Sequence, residues 1–324
     1  MLNAISTKGI AWTRLTPTVL FFAYVLAAVT TQPGLFLQNL REFSLNIMFS
    51  LLPLGLLVTV GTSVASQPQA PLQYLLRHGR TVGVRLLTTA VGVTFGIAAF
   101  WTLKFQIPMI VPFYLDPSLA TLDRALHSGD PWQWMHWLIE DRAMGALILI
   151  YFPAWLFLYF ACIALAAVHG DPLTRRAYFR TFAAIYAGLG TLMAVGAASV
   201  GPIFYDRYYG GDRFSGLIDA LRSNEASTPV LQIADRLFIA YSSGAEDIFA
   251  GISAMPSVHL AVATLNALFL RRISATAGAF GWVFVALTAI GSVYLGWHYA
   301  VDGYMAIGTV VVIWKFASMR GDNG

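Results

Sequence analysis

Three ionisable side chains, His259, His298 and Asp302, have the types and spacing to do chemistry together. His298 and Asp302 are four residues apart, so they share one face of a helix beginning near His298 and lie within contact reach. A carboxylate bonded to one imidazole nitrogen fixes the tautomer and leaves the other nitrogen to act as nucleophile. His259, on a different segment, is suited to protonate a leaving oxygen as general acid. It is preceded by Ser253, Ala254, Met255, Pro256, Ser257 and Val258. Pro256 is expected at the first helical position, which leaves the amides of Ser257 and Val258 unpaired at a helix N-terminus. That N-terminus, at the positive end of the helix dipole, suits a phosphate. A lone histidine is more often structural, so the reading depends on whether all three side chains converge.

The elements that must bring them together follow from composition. Of 324 residues, 57% are hydrophobic and 11% are charged, against about 25% charged in a soluble domain. Too few charges remain to cover a soluble protein of this size. Disorder is excluded by the same figures, and a disulfide-stapled secreted fold by the single cysteine, Cys162. Apolar runs recur at about 15–32, 43–62, 86–103, 143–168, 181–200, 255–270, 276–297 and 299–314. About 20 such residues cross the hydrocarbon core as a helix. The runs are continuous rather than alternating, which excludes a barrel. The expected fold is all-α: a polytopic integral membrane bundle of about eight transmembrane helices, with amphipathic helices on its outer surface. With no internal repeat or linker, residues 1–324 read as one membrane-embedded domain, with N-terminal helices 1–142 and a catalytic core 143–324. The first run, after Lys8 and Arg14 and ending near Ala27-Ala28, also has the features of a signal peptide.

Charge sorting orients the spans. With the N-terminus inside, the inner segments hold twelve cations, among them Arg77, Arg80, Arg85, Arg175, Arg176, Arg180, Arg271 and Arg272. They share that side with two acids, Asp171 and Asp322, while the other eight cations and fourteen acids face outward. Lysine and arginine retained on the cytoplasmic side set orientation, so both termini are expected inside. The net charge of +4 is therefore an orientation signal and implies no nucleic acid partner. A compact chain without glycosylation sequons fits a bacterial inner membrane with the site on the periplasmic face. In this topology the span interiors hold no Lys, Arg or Glu, and His259, His298 and Asp302 arrive at one depth near the outer face. Ionisable groups at membrane depth are costly and by default functional.

Two outer segments are long enough for structure. In residues 104–142, Asp116-Pro117 and Asp130-Pro131 each read as an N-cap followed by proline. Leu115, Leu119, Leu122 and Leu126 share a face there. Trp132, Trp134 and Trp137 follow on a helix expected at the membrane interface, as a cover or as a substrate lid. In residues 201–254, Gly201-Pro202 leads into Tyr205, Arg207 and Arg213, candidates for shaping a phosphate pocket. Either arginine is equally readable as solvated or paired with Asp206 or Asp212. Thr228-Pro229 opens an amphipathic helix with Val230, Ile233, Ala234, Leu237 and Tyr241 on one face.

Met-Pro-Ser-x-His at 255–259, followed by Tyr-Leu-Gly-x-His-x-x-x-Asp at 294–302, resembles the second and third motifs of the type 2 phosphatidic acid phosphatase superfamily. The Met before Pro-Ser and the His-Tyr-x-x-Asp form look most like the inositol phosphorylceramide synthase branch and its bacterial relatives. The resemblance implies that His298 attacks phosphorus to form a phosphohistidine, that Asp302 orients it, and that His259 protonates the leaving group. It implies a transferase moving a phospho-head group, phosphoinositol among the candidates, from a phospholipid donor to a lipid alcohol acceptor. The alternative is a lipid phosphate phosphatase with water as acceptor. Neither route requires a cofactor or a metal. The family's phosphatases carry Ser-Arg where this chain has Gly291 and Ser292, and their first motif, a Lys followed at a distance by Arg-Pro, has no match on the outer face. A transporter or inert scaffold is the reading from another class. Carriers place charge near the bilayer midplane, which this chain does not, and an inert scaffold would be expected to lose one of the three residues.

Overall fold

A computed structural model describes residues 17–244 and 251–319. Lys8, Arg14, Glu246, Asp247, Arg320 and Asp322, which entered the charge sorting, lie outside them. The described residues contain helices and no strand. The N-terminal part comprises α1 (Pro17–Thr31), α2 (Pro33–Ser66) and α3 (Pro71–Phe105). Two short helices follow, α4 (Asp116–His127) and α5 (Pro131–Leu138), then the long helices α6 (Asp141–Val168) and α7 (Pro172–Gly196). Three further short helices, α8 (Pro202–Tyr209), α9 (Ser215–Arg222) and α10 (Thr228–Ser243), precede the last three: α11 (Val258–Ile273), α12 (Ala275–Tyr294) and α13 (Ala300–Met319). Proline stands in the first turn of many of them, where its missing N–H costs nothing and its fixed φ suits the helix.

Six helices are long and apolar enough to cross a membrane, and α1 and α11, at 15 and 16 residues, are shorter. These eight answer to the eight expected runs. α11 is short for a physical reason. Residues 251–257, which precede it, are not helical, and Ile252, Ala254, Met255 and Ser257 are buried in protein. Irregular backbone at membrane depth is tolerated only when protein covers it.

Burial falls into two tiers. One apolar core runs through α2, α3, α6, α7, α11 and α13, around Phe43, Phe100, Ile163, Tyr178 and Phe269. A second caps the bundle and joins Ile107, Phe113, Leu119, Ile203, Leu217 and Tyr299 from the short helices and loops. Most remaining large apolar side chains on α1–α3 point outward, as a bilayer requires. The His259 and His298 segments meet where the tiers join. α6 widens to a π turn over Ile150–Ala154. Pro153 lies within that turn and has no N–H to give the ladder.

The helices of the second tier correct two expectations. On α4 the buried face is Asp116, Leu119, Ala120 and Asp123, while Leu122 and Leu126 are exposed. The leucine spacing marked a real helix but not its inner side, because the two carboxylates have buried donors to satisfy. Nor do Asp116 and Asp130 cap their own helices through their side chains. On α5, Trp134 and Trp137 are exposed while Trp132 packs against the second core, the amphipathic pattern expected of an interfacial helix.

Candidate active site

The His259 segment is shaped by its cap. Ser257, not Pro256, precedes the first helical residue, and its hydroxyl accepts the Leu260 amide at 3.4 Å. The expectation that Pro256 opens the helix is corrected: it lies before the cap, after a cis peptide bond with Met255. Capping by acceptance leaves the Ser257 proton available to donate. The amides of Val258 and His259, in the first turn, have no intrahelical acceptor. The His259 ring stacks on Tyr151 at 4.9 Å between centroids and lies 4.4 Å from Trp155. The Trp155 indole N–H donates to the His259 carbonyl at 3.0 Å.

His298 lies in the turn between α12 and α13, and Asp302 in the first turn of α13. Nδ1 of His298 is 3.4 Å from Oδ2 of Asp302. The same oxygen accepts the Tyr299 amide at 3.0 Å, the carboxylate half of a capping box. A contact this long is common before substrate binds and tightens in the reactive complex. Asp302 is fully buried and His298 nearly so. Burial pushes the His298 imidazole below its ordinary range, with the Lys104 charge adding to the effect. The ring is therefore neutral near pH 7, the state a nucleophile requires.

One extended segment, Ala197–Gly201, joins the two histidine regions. Ser199 accepts the Ala254 amide through its carbonyl (2.9 Å) and the Met255 amide through its hydroxyl (3.0 Å). Two residues on, the Ile203 amide donates to the Gly296 carbonyl at 2.8 Å. Gly201 has φ +87°, and a Cβ there would stand 2.6 Å from the Trp297 carbonyl oxygen. Only glycine allows this approach.

α4 fastens the arrangement with two buried aspartates. Asp116 accepts from the amides of Val200 and Gly201 and from the hydroxyls of Tyr209 and Tyr299, at 2.8 to 3.2 Å. Burial raises its pKa while these four donors pull it down. Asp123 accepts from the amides of Ala300 (2.9 Å) and Val301 (3.1 Å), so it caps α13 from outside. The turn it holds contains Asp302. Replacing Asp123 by Ala should destabilise the protein by about 1–3 kcal/mol, since two buried amides lose their acceptor. Asp123→Asn should recover much of that loss. Thermal melting in detergent checks the ranking.

The sequence-derived phosphate candidates are placed as follows. Arg213 forms a bidentate pair with Asp130 at 2.6 and 2.7 Å, and Arg207 meets Asp235 at 2.6 Å. Both arginines are paired, though not with the sequence neighbours Asp206 and Asp212; Asp206 accepts the Phe214 amide instead. Tyr205 packs between Tyr209 and Phe214. Lys104, near the end of α3, is a cation within electrostatic reach of both histidines. Its ammonium lies 5.1 Å from the Trp101 ring centroid, and among the described residues it has no carboxylate partner. Sequence reasoning missed Lys104, Asp116 and Asp123. The available signal was a cation ending an apolar run and two acids seven apart on a short helix. Among the described residues no group of three or more His, Cys, Asp or Glu side chains is arranged to hold a metal ion.

The fold is a membrane-type helical bundle in which His298 and Asp302 are in contact and a second histidine, His259, stands on a neighbouring helix. The family profile of the PAP2 superfamily matches residues 117–317, from α4 through α13, and the chain belongs to that superfamily. Its members are phosphatases or phosphotransferases acting on lipid phosphates. No curated protein and no solved structure matches the chain.

Proposed function

We propose that this protein is a lipid phosphotransferase that moves a phospho-head group from a phospholipid to a lipid alcohol through a phosphohistidine on His298. Phosphoinositol is one candidate head group, as the likeness to the inositol phosphorylceramide synthase branch implies. The observation that carries the reading is the charge of the site. Among the described residues Lys104 is a cation without a carboxylate partner, Arg207 and Arg213 are neutralised by Asp235 and Asp130, and Ser292 occupies the position of the phosphatases' arginine. One positive charge matches the single negative charge of a phosphodiester better than the two of a phosphomonoester.

In this mechanism Nδ1 of His298 faces Asp302, so Nε2 attacks phosphorus. The bond from phosphorus to the diacylglycerol oxygen breaks as the nitrogen–phosphorus bond forms. His259 gives its proton to the leaving oxygen; the bound phosphate's negative charge favours the imidazolium it needs. In the second step the acceptor hydroxyl gives its proton to neutral His259 and its oxygen displaces His298 from phosphorus. Ser257 and the first-turn amides of α11 hold the non-bridging oxygens. The site would face the periplasm of a bacterial inner membrane, within a single membrane-embedded domain. Supplying labelled phospholipid with one lipid alcohol at a time, and reading products by mass spectrometry, tests the assignment. A new lipid phosphodiester is expected; a free phospho-head group or free phosphate as the sole product would overturn it.

A further inference from the structure

Tyr151 is a large side chain of the site region to which neither the motifs nor the mechanism above assigns a role. It is 1% exposed, and its hydroxyl has no hydrogen-bond partner among the described residues. A buried hydroxyl without a partner is unfavourable, and more so at membrane depth, where water cannot supply one. The fold nevertheless directs this residue to the site by three independent features. The π turn of α6 carries it, and such turns recur at functional sites. Its ring lies nearly parallel to His259, at 18° and 4.9 Å. It also packs over Gly291, whose missing Cβ would lie 3.4 Å from the Tyr151 ring. The residue therefore lies against the proposed acid and beside Gly291 of α12.

We propose that Tyr151 is a further catalytic residue, whose hydroxyl donates a hydrogen bond to a non-bridging oxygen of the phosphodiester. This rests on the phosphotransferase reading. The ring stacks with or without the hydroxyl, so stacking does not account for the oxygen. A phenol also adds a donor without adding charge, which keeps the site matched to a monoanion. It performs part of the work that an arginine performs in the family's phosphatases.

Tyr151→Phe isolates the hydroxyl because it retains the ring, its stack on His259 and its packing over Gly291. Wild type, Tyr151→Phe and His298→Ala are reconstituted in liposomes containing phosphatidylinositol labelled at phosphorus, and acid-labile label on protein is followed without any acceptor. Label should appear on Tyr151→Phe about 100-fold more slowly than on wild type and never on His298→Ala. Orthovanadate, a mimic of the phosphoryl transition state, should bind the Phe variant at least tenfold more weakly. The melting temperature should be unchanged or higher, since no partner is lost. Equal labelling rates and equal orthovanadate affinity would overturn the proposal. So would slower labelling accompanied by a lowered melting temperature and unchanged orthovanadate affinity, the pattern of a purely structural residue. If wild type is labelled but passes its label only to water, the transferase assignment fails while the Tyr151 comparison stands. If wild type takes no label, the phosphohistidine reading fails, and orthovanadate affinity alone decides for or against Tyr151.

Discussion

Replacing His298 by alanine should lower turnover by about 10⁴-fold or more, the scale on which loss of a covalent nucleophile acts in other enzymes. No neighbouring group can substitute. His259 is on another helix, stacked against Tyr151 and Trp155, and Asp302 is fully buried, with one oxygen already accepting the Tyr299 amide. The variant should remain folded, because the turn that carries His298 is held by bonds that do not involve its ring. Those are the Ile203–Gly296 backbone bond and the caps from Asp123 and Asp302. The decisive measurement is acid-labile label from a labelled phospholipid, present on wild type and missing on the variant, with equal melting temperatures. A variant that consumes donor at the normal rate would exclude His298 as the nucleophile.

Lys104→Met should show the second largest loss, about 10²- to 10³-fold in turnover, the effect of removing one preorganised stabilising group. An ammonium that has no carboxylate partner among the described residues and lies within electrostatic reach of two histidines is unfavourable in the empty site and becomes favourable when phosphate arrives. The same residue should therefore oppose folding while it assists catalysis. Lys104→Met is expected to melt at the wild-type temperature or above it even as activity falls. Orthovanadate should bind it weakly, and Lys104→Arg should recover only part of the rate, because the methylene stem of Lys104 packs closely against Gly251. A Met variant as active as wild type would mean that another cation meets the phosphate. Arg213 would be next in line, although its bidentate pairing with Asp130 already balances its charge.

Much of this fold was readable without coordinates. The eight apolar runs correspond to six long helices and two shorter ones, because a run of that length has few alternatives in a bilayer. His298 and Asp302 were readable as a pair because their contact is local, set by a four-residue spacing. Local reasoning failed where a polar group had a distant partner. Asp116 and Asp130 look like N-caps from their neighbours, but their carboxylates bond Gly201 and Arg213, more than eighty residues away. The leucines of α4 suggest an inner face, yet Leu122 and Leu126 are exposed because Asp123 must reach the amides of α13.

By itself, the sequence determined the class of molecule and its helical spans, and it singled out three groups with the types and spacing for chemistry. Those properties depend on composition, run length and short spacings, which the chain carries locally. Only the tertiary structure decided that, among the described residues, Lys104 has no carboxylate partner, Arg207 and Arg213 are paired with distant acids, and the Tyr151 hydroxyl has no hydrogen-bond partner. Whether a charge or a hydroxyl is satisfied depends on what the folded chain brings to within about 3 Å of it, and no spacing along the sequence encodes that.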